Sequence, residues 1–102
     1  MKLEHESEEQ LKEKILRVIA KYLNLAEYRV FFFGSRVSGK AREASDVDVG
    51  IEGAKPLPAG VLSDIQDAIE ELPVLYKIDV VDFADANEKF KRVAKEHVEL
   101  VN

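Results

Sequence analysis

The sequence predicts an α/β domain of the α+β kind, a small mixed β-sheet with helices packed on one face. Three observations lead there. Two amphipathic stretches repeat their apolar residues at three- and four-residue spacing, short β-rich runs stand between them, and the 102 residues suit one ordinary domain. Residues 1–102 are therefore read as a single domain, with no repeats or linkers.

From Ser7 the apolar positions Leu11, Ile15, Val18, Ile19, Tyr22 and Leu23 mark a first helix, and Ser7 with Gln10 resembles a capping box at its start. Residues 28–33 are aromatic and β-branched, end at Gly34, and predict a buried strand. Residues 34–45 are rich in Gly, Ser and charge and form a loop or helical turn. Asp46 to Glu52 then alternates, with Asp46, Asp48, Gly50 and Glu52 on one side and Val47, Val49 and Ile51 on the other. A period of two is a strand. Its link to the first strand is short for a helical crossover, so the two should be antiparallel.

Pro56 and Pro58 interrupt the chain before a second amphipathic helix carrying Leu62, Ile65, Ala68, Ile69 and Leu72, which Pro73 stops. Residues 75–83, LYKIDVVDF, predict a third strand with Asp79 inside it. A last helix spans about residues 87–96, and VELV can close the sheet as a short strand.

Composition removes several classes of function. The net charge of -5 argues against general nucleic-acid binding, which rests on clustered Lys and Arg, so no direct nucleic-acid partner is expected. There is no cysteine, hence no disulfide, thiolate metal site or Cys nucleophile. The polar, acidic start is unlike a signal peptide, and no apolar run approaches the ~20 residues that span a bilayer. A cytoplasmic protein without membrane contact is the expectation.

The chemistry concentrates in residues 34–52, GSRVSGKAREASDVDVGIE. Asp46 and Asp48 project from one side of their strand, about 7 Å apart at the base. A divalent cation turns their repulsion into coordination, since Mg²⁺ takes carboxylate oxygens at about 2.1 Å and keeps substrate phosphates as further ligands. If the third strand lies beside this one, Asp79 completes a three-carboxylate cluster able to hold two metals about 3.5–4 Å apart. Asp82 is the rival candidate but falls on the opposite face, at a strand end. Glu52 lies one residue pair further along and is left out of the ligand set.

Gly34 ends a strand at a sharp turn, and its missing Cβ permits close approach by a ligand. If Ser35 opens a helical turn, its N–H groups and hydroxyl face an anion, with Arg36, Lys40 and Arg42 adding positive charge. Alone, alternating Asp describes a solvated strand face and Gly-Ser an ordinary turn. Together they are the arrangement that a nucleoside triphosphate with Mg²⁺ requires.

GS followed by Gly39 and SDVDV resembles the signature of the DNA polymerase β-like nucleotidyltransferase superfamily. The form GSRxxGxxxxxSDxDxxI, the chain length and a later Asp in an apolar strand are similar to its minimal nucleotidyltransferase (MNT) branch. The resemblance covers almost the whole chain and implies a polymerase β palm-like fold. It implies that Gly34, Ser35, Arg36 and Ser45 belong to the nucleotide-binding motif, with Gly34 and Ser35 on the triphosphate. Asp46 and Asp48 would ligate two Mg²⁺ or Mn²⁺ ions, and Asp79 would ligate the catalytic metal and help activate the acceptor hydroxyl. Relatives often carry Arg where this chain has Ser38.

Members of the branch are often antitoxins paired with a HEPN-domain ribonuclease, so the resemblance implies a protein adenylyltransferase that moves AMP from ATP to a hydroxyl of that toxin. No acceptor-recognition domain fits in this length, so a partner or a second copy must supply the acceptor surface. The alternatives are an antitoxin that acts by occlusion without catalysis, or a structural α/β domain with an acidic strand face. His5 and His97 are read as surface or capping residues, Tyr22, Tyr28 and Phe31–Phe33 as core, and EKFKRVAKEH as a solvated helix face. Ser7, Ser38 and Ser63 lack a His-acid arrangement to activate them.

Overall fold

The capping box forms as expected: in the computed structural model, which describes residues 3, 7–34, 37 and 46–102, Ser7 Oγ accepts from Gln10 N at 3.1 Å and Gln10 Oε1 accepts from Ser7 N at 3.4 Å. Two orphan donors at the helix start are thereby satisfied. Helix α1 (Glu8–Ile19) follows and buries Leu11, Ile15, Val18 and Ile19. Strand β1 (Arg29–Phe33) runs antiparallel to β2 (Val47–Glu52), with Phe33 opposite Asp48. Helix α2 (Val61–Glu70) buries Ile65 and Ile69 and ends just before Pro73.

Strand β3 (Ile78–Asp82) returns parallel to β2, the right company for a strand reached through a helical crossover. A single 3-10 turn (Phe83–Asp85) leads to the short helix α3 (Glu88–Ala94) and to β4 (Glu99–Leu100), which pairs antiparallel with β1. The sheet order is β3-β2-β1-β4.

Strand alternation divides the sheet into two unlike faces. Val30 and Phe32, then Val47, Val49 and Ile51, then Ile78 and Val80 point to one side and join α1 and α2 in the main core. Phe31, Phe33, Val81 and Phe83 point to the other, where Ala94 of α3 packs on them. The expectation that the helices pack on one face holds for the two long helices. Helix α3 corrects it, because its Phe90 ring meets Phe33 on the opposite face. The cause is local: Phe83 continues the outward phase of β3, so the chain leaves the sheet on that side.

Asp82 fixes that exit. Its Oδ1 accepts from Ala84 N at 3.1 Å and its Oδ2 from Leu57 N at 2.8 Å, so the carboxylate ties two loops together. The third strand is accordingly shorter than residues 75–83, with Leu75 79% exposed before it and Phe83 already in the turn. Side-chain amides extend the backbone pairing at two places, the open edge of β3 and the start of β1. Gln66 of α2 donates to Ile78 O and accepts from Val80 N, both at 2.8 Å. Asn102 accepts from Val30 N and donates to Tyr28 O, each at 2.8 Å.

Candidate active site

β2 and β3 are in register so that Asp48 stands directly beside Asp79. Adjacent strands lie about 4.8 Å apart, and facing side chains on one face of a sheet share that spacing at the base. The two carboxylates are thus neighbours on the face opposite the main core. Asp46 precedes β2 by one residue and is half-buried, as are Asp48 and Asp79. Among the described residues no cation pairs with Asp48 or Asp79. Partial burial, then the charge of Asp79, then that of Asp46 push the Asp48 carboxyl above its ordinary value. Each cause disfavours the charged form of Asp48.

Gly34, just past β1, approaches Asp48. Its φ is +85°, in the left-handed region, and a Cβ there would stand 2.2 Å from Asp48 Oδ2. Any other residue would strain the backbone and strike the carboxylate. The sequence predicts a glycine there for close approach by a ligand; the structure shows close approach by the Asp48 carboxylate. Gly50 serves the same face differently. A Cβ on it would lie 2.5 Å from Phe31 Cε2 and 2.7 Å from Phe83 Cε1, so the missing side chain lets those rings approach β2 closely.

Asp48, Asp79 and Gly34 line a cavity of about 560 Å³, a volume typical of small-molecule sites. Its other walls come from Phe33, Val81 and α3 with the turn that follows: Phe90, Val93, Ala94, Glu96 and His97. The site is therefore acidic at one end and apolar at the other. His97 is exposed as expected from the sequence, yet it faces the cavity. The expectation of a solvated helix face over residues 88–97 holds in that α3 buries no residue, but its Phe90, Val93 and Ala94 line the cavity. A signal was available, since Phe90, Val93, Ala94 and His97 follow i, i+3, i+4, i+7 spacing on one helical stripe.

Ser35, Arg36 and Ser45, the other expected nucleotide contacts, lie outside the described residues, as do Lys40 and Arg42. Glu52 is engaged elsewhere: Lys95 Nζ donates to its Oε2 at 2.8 Å, which fastens the end of α3 to β2. Among the described residues no three acidic or histidine side chains converge at metal-binding distance. The donor set itself suits a hard divalent cation, with two in-register carboxylates and a third at the strand entrance contributing oxygens alone.

A mixed sheet with paired carboxylates beside a Gly-terminated strand resembles the palm of a nucleotide-transferring enzyme. Residues 13–102 match the family "Polymerase beta, Nucleotidyltransferase", and the chain belongs to that family; it is a nucleotidyltransferase. Within the family it is 32% identical over 81 residues to "Probable protein adenylyltransferase MntA" of Haemophilus influenzae, a match spanning 79% of this chain and 70% of that protein. A chain of a toxin–antitoxin crystal structure with AMP-PNP shares the fold at a TM-score of 0.72 and 16% identity, covering 89% of this chain and 72% of that one. A chain from tri-AMPylated Shewanella oneidensis HEPN toxin in complex with MNT antitoxin gives a TM-score of 0.61 at 16% identity, over 92% and 71%. These relatives agree with the MNT branch that the 34–49 motif resembles. Among the described residues no helix is long and apolar enough to cross a membrane.

Proposed function

We propose that this nucleotidyltransferase moves AMP from ATP to a hydroxyl of a partner protein, and that the partner is a HEPN-type toxin which it serves as antitoxin in the cytoplasm. The observation that carries the reading is the Asp48–Asp79 pair, set in register beside the left-handed Gly34 at the acidic end of a cavity. The name of the Haemophilus relative and the complexes formed by the structural neighbours support the acceptor and the partner. Residues 1–102 act as one minimal domain, and the partner supplies the acceptor hydroxyl.

Asp46, Asp48 and Asp79 are the residues that would hold divalent metal, two Mg²⁺ or Mn²⁺ ions. The metal supplies charge neutralisation at the reacting phosphate and a lowered pKa for the attacking hydroxyl. Gly34 keeps the strand end clear of side chain where the triphosphate must approach, and Ser35, Arg36 and Ser45 complete its binding. Asp79, on the neighbouring strand, would help activate the acceptor hydroxyl by taking its proton. The acceptor oxygen then bonds to the α-phosphorus, the bond from that phosphorus to the β-phosphate oxygen breaks, and pyrophosphate departs. In such transfers the protein contributes chiefly positioning and electrostatics.

The test is incubation with α-labelled ATP, Mg²⁺ and a HEPN-domain partner. Label should appear on the partner and vanish with Asp48→Asn or Asp79→Asn. A stable complex that never takes up label would replace transfer with occlusion.

A further inference from the structure

The apolar end of the cavity contains a feature that the chemistry of phosphoryl transfer leaves unused. Phe90 is 43% exposed, although three other phenylalanine rings on the same face are buried. Its exposure is not looseness. The ring stands edge-on to Phe33 at a centroid distance of 5.9 Å and 89°, and tilts on Phe83 at 5.6 Å and 48°. Phe33 and Phe83 are themselves locked edge-to-face at 5.0 Å. Two buried rings therefore hold Phe90 in one attitude, with its free surface among the residues that line the cavity.

Val93, 60% exposed, and Ala94 extend the same apolar wall one helical turn on. The Lys95–Glu52 ion pair secures the helix that carries it. An aromatic ring fixed in orientation and left half bare is a stacking surface awaiting a flat apolar group. The only polar side chains at this end, among the described lining residues, are Glu96 and His97 on the turn beyond α3.

We infer that Phe90, backed by Val93, is the surface on which the nucleobase of the triphosphate stacks, and that the site accepts either purine. The inference rests on the nucleotide-site reading of Asp48 and Asp79 given above. Stacking uses the π-face that every base possesses, so it contributes affinity without reading base edges. Strong discrimination needs buried polar groups that the wrong substrate leaves unpaired, and the polar side chains at this end, Glu96 and His97, are exposed rather than buried.

Calorimetric titration separates the parts. Wild-type protein in Mg²⁺ is titrated with ATP, GTP and inorganic tripolyphosphate, and the series is repeated with Phe90→Leu, which keeps apolar packing but removes the π-face. The expected result is ATP and GTP binding within about threefold of each other and both tighter than tripolyphosphate. Phe90→Leu should weaken both nucleotides about tenfold and leave tripolyphosphate unchanged. Asp48→Asn should weaken all three. If Phe90→Leu leaves ATP binding intact, or weakens tripolyphosphate equally while the melting temperature is kept, the stacking surface is wrong and the triphosphate site stands. If the wild-type protein binds neither ATP nor tripolyphosphate, the nucleotide-site reading fails and takes this inference with it. Should Phe90→Leu lower the melting temperature, Val93→Thr gives the same comparison with less disturbance to the ring cluster: a selective loss of nucleotide affinity supports the wall, and no loss overturns it.

Discussion

The two faces of the sheet are built from alternate residues of the same strands and have opposite fates. On one, Val30, Phe32, Val47, Val49 and Ile51 are fully buried beneath α1 and α2. On the other, Asp48 and Asp79 stand side by side, and α3, which buries no residue of its own, covers only part of the surface. The first face gives the domain its stability through removal of apolar surface from water. The second retains like charges at close quarters, a bare aromatic ring and a cavity. The difference teaches that strand alternation lets one small sheet separate folding from chemistry, so that the strain of the site is offset by a core only one pleat away.

The sharpest way to break that comparison is to damage the core face alone. Phe32 is wholly buried between β-strand neighbours and the long helices. Phe32→Ala should destabilise the protein by about 3–5 kcal/mol, read by denaturant unfolding. If instead Phe31→Ala, on the site face, were the more damaging of the two, the assignment of stability to the α1/α2 side would be wrong.

Gly34→Ala comes next, because it acts on both properties at once. The positive φ and the 2.2 Å approach to Asp48 Oδ2 mean that backbone and carboxylate must shift. A loss of about 1–3 kcal/mol is expected, together with weaker Mg²⁺-dependent ATP binding. Retained nucleotide affinity with lowered stability would confine the glycine to a turn-forming role.

Much of this was legible in the sequence, and the exceptions have physical causes. Alternation in SDVDV placed Asp46 and Asp48 on the polar side, and the β-rich run around Asp79 identified the strand that lies beside them. Period two is a strong signal because burial of one face enforces it. The Ser7–Gln10 cap was equally readable, since its donors and acceptors are close in sequence. The side of the sheet taken by α3 was not, because it depends on the phase in which the chain leaves β3 through Phe83 and on Asp82 binding Leu57 N. The spacing of Phe90, Val93, Ala94 and His97 was readable, but not what these residues meet. Their stripe faces a cavity rather than a core, and the charges of Lys89, Lys91, Arg92 and Lys95 around it make the helix look solvated on every side.

Gln66 sharpens the comparison further, since it reaches from the core-face helix to the strand that carries a site residue. Its amide bonds the carbonyl and N–H on either side of Asp79 at the open edge of β3, in place of a neighbouring strand. Gln66→Leu should lower stability by only about 1 kcal/mol, because water can reach an edge that is part-buried. Its effect on kcat should be larger, about tenfold, with KM for ATP nearly unchanged. Gln66→Glu keeps the acceptor for Val80 N–H and should fall between. Equal losses in kcat and in ATP affinity for both variants would mean a general loosening of the site rather than the placing of Asp79.

The smallest effect concerns the site face in isolation. Burial, Asp79 and Asp46 raise the Asp48 carboxyl above its unfolded value of 3.8, so the folded protein binds that proton more tightly than the unfolded chain does. As pH climbs through the interval above 3.8, the folded state must give up the proton against these forces, and stability contributed by the neutral form is lost. At neutral pH without divalent cation, Asp48→Asn should therefore melt slightly higher than wild type, the gap closing as pH falls below that interval. Addition of Mg²⁺ should reverse the order, since the wild-type carboxylate gains a cation and the amide does not. A variant that melts lower at neutral pH in the absence of metal would show that Asp48 is held by a favourable partner, and the picture of a charged face carried at the expense of stability would have to be given up.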